Sequence, residues 1–283
     1  MAIRIVVDST ADIPQERAQN LDIEVVPLMV LFGDESYRDG VDLDTATFYR
    51  KLVASHTSPT TSTPPPAAFE DAYRKLAADG ATGILSLSLA SSLSATYSVA
   101  QGAAGIVSQE TGVPIEVVDS HTVSAGIGAA AEVIAREAQG GASLADLQAH
   151  AESMFSRTRV IAVLDTLEYL QRGGRIGRAR ALLGTMLSVK PLIGVRDGQI
   201  VPLENVRTKS KAQERIGQMV AEMGALQSLA IVQADAAAGN ALETIIRRTW
   251  QGEIEHSILG PVVGTHAGPG AAGVAVILQE AGA

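Results

Sequence analysis

Residues Thr82 to Val99, TGILSLSLASSLSATYSV, change character twice within a short span. Ile84, Leu85, Leu87 and Leu89 form an apolar run with alternation in it, which predicts a strand. Ser91, Ser92, Ser94 and Thr96 follow as a hydroxyl-rich turn, and Tyr97, Val99 and the small residues after them predict the start of a helix. Strand, polar turn and helix in that order commit the chain to an α/β architecture and leave free backbone N–H groups at the carboxyl edge of a sheet. Such groups, at the positive end of a helix dipole, attract anions. The hydroxyls add neutral donors, which suit a carboxylate or phosphate better than a metal. Taken without its neighbours, the stretch is equally a helix cap with spare serines.

The same order recurs. Ile3 to Val7 predicts a buried strand with Asp8, Ser9 and Thr10 at its carboxyl end, and Ile115 to Val118 ends alike at Asp119 and Ser120. Helices are predicted over 46–55 after a cap at Asp44, from Pro66 through Phe69, Tyr73 and Leu76, over 123–138, and over 144–155 behind Ser143. Ile23 to Phe32 is a strand region interrupted by Pro27, and 33–40 is a turn-rich loop. His56 to Pro66, HTSPTTSTPPP, is expected to be a rigid loop, neither strand nor helix. Strand–helix alternation up to the strand at Val160 to Leu164 predicts a doubly wound, mostly parallel sheet.

The second half differs. It offers a short helix over 166–171, the basic glycine turn Arg172 to Ile176, a helix over 178–189 and a hairpin at Asp197-Gly198. A long helix over 210–223, strands at 229–233, 254–259 and 274–278, and a helix over 242–250 complete a smaller mixed-sheet α/β domain. Residues 157–215 carry 12 Lys+Arg against 5 Asp+Glu in a chain of net charge −9, so the charge balance reverses near 157–160. The expected domains are therefore 1–158 and 159–283.

Composition narrows the chemistry. The chain has no cysteine, which excludes disulfides, thiolate catalysis and Cys-ligated metals. With 46% hydrophobic but only 4% aromatic residues, the core must be aliphatic. The acidic balance argues against nucleic acid as a partner. MAIRIVVDST shows no signal peptide and no stretch is apolar enough to span a bilayer, so a cytoplasmic protein with at most transient membrane contact is expected. Gly268 to Gly273 matches G-x-G-x-x-G but precedes a strand and lacks the acidic residue downstream, and there is no Walker lysine loop or G-x-S-x-G elbow. Five histidines without ligand spacing predict no metal, and no cofactor is expected. A hydrolase would need Ser94 or Ser62 as nucleophile, His266 or His121 as base, and Asp8 or Asp119 to orient it. Glycine and proline around His266 are expected to expose its ring, and Ala129 to Ala131 are candidates for lining an apolar tunnel.

Six short motifs in order are similar to the DegV family. Thr61-Ser62-Thr63-Pro64 resembles its T-S-x-P loop, and Leu93-Ser94-Ala95-Thr96 its L-S-G-T segment. Asp8-Ser9, Asp119-Ser120, Leu170 to Ile176 with G-G-R-I, and His266 to Gly270 as H-x-G-P-G complete the set, which spans almost the whole chain. The resemblance implies a two-domain α/β protein that binds a long-chain fatty acid in a tunnel and is not catalytic alone. It implies that a separate ATP-dependent fatty acid kinase phosphorylates the presented carboxylate to an acyl phosphate, for phospholipid metabolism; palmitate is a representative ligand. The implied carboxylate contacts are Thr61, Ser62, Ser94 and His266, supported by Asp8, Ser9, Thr96, Ser120 and Gly268. Arg207 and Arg175 are the implied kinase-docking positions. Ala95 stands where the family usually has glycine, and Asn205 where it often has lysine. The alternative is a serine-dependent acyl hydrolase using Ser94 and His266.

Overall fold

The structure, a computed structural model, describes residues 3–55, 57–183 and 189–280. The chain opens with β1 (Ile3–Asp8), a 3-10 turn (Ser9–Ala11), α1 (Gln15–Asn20), β2 (Ile23–Val26), β3 (Met29–Phe32) and β4 (Glu35–Arg38). Asp44 caps α2 (Thr45–Ala54) by accepting the Thr47 N–H at 2.9 Å. β5 (Thr60–Ser62) precedes α3 (Pro66–Ala78), where a proline in the first turn sacrifices no helical hydrogen bond. β6 (Gly83–Ser88), α4 (Thr96–Thr111), β7 (Ile115–Asp119), α5 (Ala125–Gln139) and α6 (Leu144–Arg157) follow. The remainder is β8 (Thr158–Val163), α7 (Glu168–Arg172), a 3-10 segment (Gly177–Leu182), β9 (Lys190–Arg196), β10 (Gln199–Val206), α8 (Lys209–Glu222), β11 (Leu226–Gln233), α9 (Ala236–Ile246), β12 (Glu255–Ile258), α10 (Pro261–Ala267) and β13 (Ala272–Leu278).

The first sheet has the order β2-β1-β6-β7 and is parallel throughout. Phe69, Tyr73 and Leu76 of α3 pack with Val107 of α4 on one face, and Ile127 and Ile134 of α5 with Leu147 and Met154 of α6 on the other. Helices on both faces make the sheet doubly wound. They also explain why β6 is buried at every position, including Ser86, whose hydroxyl receives the Tyr73 hydroxyl at 2.9 Å. The second sheet runs β10-β9-β8-β13-β11-β12, with only β11 and β12 parallel. Its hairpin turns at Asp197 and Gly198 with φ of 48° and 74°, the left-handed pair that a two-residue turn demands.

Several expectations need correction. Pro27 separates β2 and β3 into different sheets, and β3 joins β4 and β5 in a third, antiparallel sheet. The 33–40 loop therefore contains a strand, and so does the hydroxyl-rich loop: Thr60, Thr61 and Ser62 pair with Leu31, Val30 and Met29 before the prolines intervene. Polar residues on both sides of β5 erase the period-2 signal. Residues 261–267, for which the sequence predicts no element, form a helix in spite of the β-branched pair Val262-Val263. The 178–189 helix is a 3-10 segment where it is described, and 184–188 lie outside the described residues. Ala129 to Ala131 pack into the core between β1 and α6 rather than lining a tunnel.

Candidate functional site

A cavity of 340 Å³ lies between the first sheet's loops and the second sheet, within the size range of small-ligand sites. Its walls are aliphatic: Leu89 and Leu93 after β6, Ile193 and Val195 of β9, Val232 of β11, and Val262 and Val263 of α10. Into this wall the structure sets Thr61 and Ser62 of β5, Ser94, His266 of α10 and Arg175, together with Thr10 and Ser124. The four implied carboxylate contacts, spread over more than two hundred positions of the chain, thus share one cavity.

Pairing of β5 to β3 fixes Thr61 opposite α10, where its Oγ1 lies 2.9 Å from His266 Nε2. His266 is not exposed as its glycine-rich surroundings suggested; it is partly buried, and Nδ1 is enclosed with no partner. Burial, and then the charge of Arg175, pushes the imidazole down to about 4, so the ring is neutral at pH 7. A neutral ring has one donor nitrogen. An enclosed acceptor left unpaired costs less than an enclosed N–H left unpaired, so the proton is assigned to Nε2. Nε2 then donates to Thr61, and the Thr61 hydroxyl proton remains for an acceptor in the cavity.

Ser94 is held differently. Its Oγ pairs with Thr96 Oγ1 at 2.9 Å and receives the Thr96 N–H at 3.3 Å. Ala95, which lines the cavity, precedes α4 without a side-chain cap, so the N–H groups of the helix's first turn lack intrahelical partners. Ala95 itself has φ −76°, a conformation open to any residue, so its methyl carries no backbone strain where the family resemblance has glycine. Ser94 bonds Thr96 and His266 bonds Thr61, so the nucleophile–base hydrogen bond of a hydrolase is not formed.

A family model described as "Uncharacterised protein, DegV family" matches residues 2–279. The chain belongs to the DegV family. It is 37% identical to a DegV domain-containing protein of Streptomyces coelicolor over 279 residues, 97% of this chain and 98% of that one. Among solved structures, it resembles a DegV family protein of Thermus thermophilus described for its fatty acid binding (31% identity, TM-score 0.88, covering 99% of this chain and 100% of that one). It also resembles DegV of Bacillus subtilis, described as a fatty acid binding protein (33% identity, TM-score 0.87, 99% and 100% covered).

Other DegV motif residues support the cavity from behind. Asp8 is fully buried and accepts from the Thr10 hydroxyl, from Ser88 Oγ at 3.2 Å and from the Leu89 N–H at 2.8 Å, so it orients two lining residues without lining the cavity itself. Ser9 donates to Asp39 at 2.8 Å and receives the Leu28 N–H at 3.1 Å. Ser120 closes a turn by accepting the Thr122 N–H. Gly268 ends α10 at φ +81° against the Tyr169 ring. Arg207 is exposed just beyond β10, whereas Arg175 is half-buried at the cavity, its Nε donating to Leu93 O at 3.1 Å.

Sequence reasoning missed a set of buried acids behind the cavity. Asp12 receives the Gly260 N–H at 2.8 Å and the Ser124 hydroxyl, while Asp39 receives Ser9 and the Val262 N–H. Burial pushes Asp39 up to about 7 and Asp12 well above the usual carboxylate range. Both bind the start of α10, the helix that carries His266. Their wide spacing in the chain, with no motif, gave no signal. Among the described residues no group of acids and histidines is placed to hold a metal ion, and no helix is long and apolar enough to cross a membrane.

Proposed function

We propose that this protein binds a long-chain fatty acid in the cavity and presents its carboxylate to a separate ATP-dependent kinase for acyl-phosphate formation. The observation that carries the reading is an aliphatic cavity whose polar lining is hydroxyls, one neutral imidazole and a partly spent guanidinium. Burying an acyl tail is worth about 0.8 kcal/mol per methylene, so the tail supplies affinity. Thr61, Ser62 and Ser94 orient the head, with His266 acting through Thr61. Neutral donors leave the carboxylate oxygens nucleophilic. In this reading residues 1–158 supply the carboxylate loops and residues 159–283 close the tunnel. The fatty-acid-binding relatives from Thermus thermophilus and Bacillus subtilis support the ligand class; the kinase step rests on the motif resemblance.

Mass spectrometry of the purified protein, native and then after denaturing extraction, tests the ligand. A stoichiometric fatty acid released only on denaturation is expected. A clean apo mass that stays unchanged after incubation with fatty acids overturns the reading. For the kinase step, Arg207→Ala should leave fatty acid affinity within twofold but reduce acyl-phosphate formation by a cognate kinase at least tenfold, about 1.4 kcal/mol. Equal acyl-phosphate rates would remove Arg207 from the docking surface.

A further inference from the structure

We propose that Gly173 is the positioning residue for His266: its missing side chain lets the imidazole lie against the end of α7 with Nε2 turned toward Thr61. This deepens the fatty acid reading and rests on it for its binding consequence only. Gly173 and Gly174 are adjacent but are glycine for different reasons. Gly174 has φ +70° and open space around it, so its backbone requires glycine. Gly173 has φ −76° and ψ −4°, which any residue adopts. A Cβ there would sit 2.6 Å from His266 Cε1 and closer still to Nδ1. The exclusion is therefore steric and comes from the ring.

Either the turn or the ring would have to yield to a methyl group, and the turn is tied on both sides. Arg172 Nη1 donates to Ser58 Oγ at 3.2 Å, Arg175 Nε to Leu93 O at 3.1 Å, and Arg175 Nη1 to Gly173 O at 2.8 Å. The imidazole is the end of a rotatable side chain. It moves, and with it the enclosure of Nδ1 and the 2.9 Å bond to Thr61. The glycine thus does two things at once. It admits the ring, and it offers Nδ1 neither a partner nor water, which places the proton on Nε2 facing Thr61.

The test is Gly173→Ala in the wild-type and His266→Ala backgrounds, read by NMR titration of His266 and by fatty acid affinity. In the wild type His266 should stay neutral down to about pH 4; in Gly173→Ala it should titrate near the ordinary value of about 6.5. Affinity should fall about tenfold in the wild-type background, the scale of one lost hydrogen bond, and not further in His266→Ala, where the methyl has room. Should Gly173→Ala fail to fold, the proposal requires the double variant to fold. An unchanged His266 titration, equal losses in both backgrounds, or misfolding in both overturns it. If the wild type binds no fatty acid, the proposed function fails, while the NMR titration still decides the role of Gly173.

Discussion

Hexadecanoate should bind this protein at least a thousandfold more tightly than octanoate. The eight extra methylenes are worth about 0.8 kcal/mol each on burial, about 6 kcal/mol in all. Ordering the longer chain offsets part of that, and a thousandfold corresponds to about 4 kcal/mol. The head group is common to both ligands and cancels. By the same comparison, Ser94→Ala, which removes one neutral hydroxyl, should weaken either ligand by only about 1 kcal/mol. Displacement of a fluorescent fatty acid by the two competitors measures the ratio. Equal affinities would mean that the aliphatic wall of Ile193, Val195, Val232 and Val262 does not hold the tail.

The second large effect concerns pH. In the lipid-free protein two buried groups pull stability in opposite directions over nearly the same range. Asp39 has its carboxyl pushed from 3.8 up to about 7 by burial, so the folded state holds a proton that the unfolded chain has lost. Its contribution is complete below about pH 4 and falls away as pH rises to about 7, a change of about 4 kcal/mol. His266 is pushed from 6.5 down to about 4, chiefly by burial, so there the unfolded chain holds the extra proton. Its contribution is complete above about pH 6.5 and falls away toward pH 4, a change of about 3 kcal/mol. Asp8 and Asp12 are raised too, so the carboxyl side prevails and stability should decline from pH 4 to 7.

Asp39→Asn should flatten that decline, and His266→Gln should steepen it. Urea unfolding at several pH values between 4 and 8 reads both slopes. A wild-type profile that Asp39→Asn leaves untouched would show that Asp39 is ionised and accommodated in the folded protein.

The parallel core was legible because β1 and β6, the two central strands, are largely buried and read as apolar runs, while β1 and the edge strand β7 both end in Asp followed by Ser. Capping at Asp44 and Ser143 and the Asp197-Gly198 turn were legible because they are local. What failed depended on partners distant in sequence. β5 is a strand only because β3 offers Leu31, Val30 and Met29, and α10 is a helix despite Val262 and Val263 because it docks against Phe48 and Leu28. The residues proposed to hold the head group were named through the family motifs, since a lone Ser94 or His266 carries no signal. Gly173, Asp12 and Asp39 matter through contacts that no spacing encodes. Arg175 was named through the family resemblance as a docking position; its bond to Leu93 O, a contact distant in sequence, places it at the cavity.

β13, the last strand in chain order, lies in the interior of the six-stranded sheet, between β8 and β11. All strands of the parallel sheet and the helices on its two faces precede residue 158, so they leave the ribosome first. The other half must wait: without residues 272–278 its strands remain two separate groups, β8 with β9 and β10, and β11 with β12. The bond between Thr61 and His266 spans 205 positions and has to wait as well. Ala272, Gly273 and Val274 of β13 also line the cavity, so its wall is incomplete until this late strand is in place, and whatever occupies it enters a second sheet that is already closed.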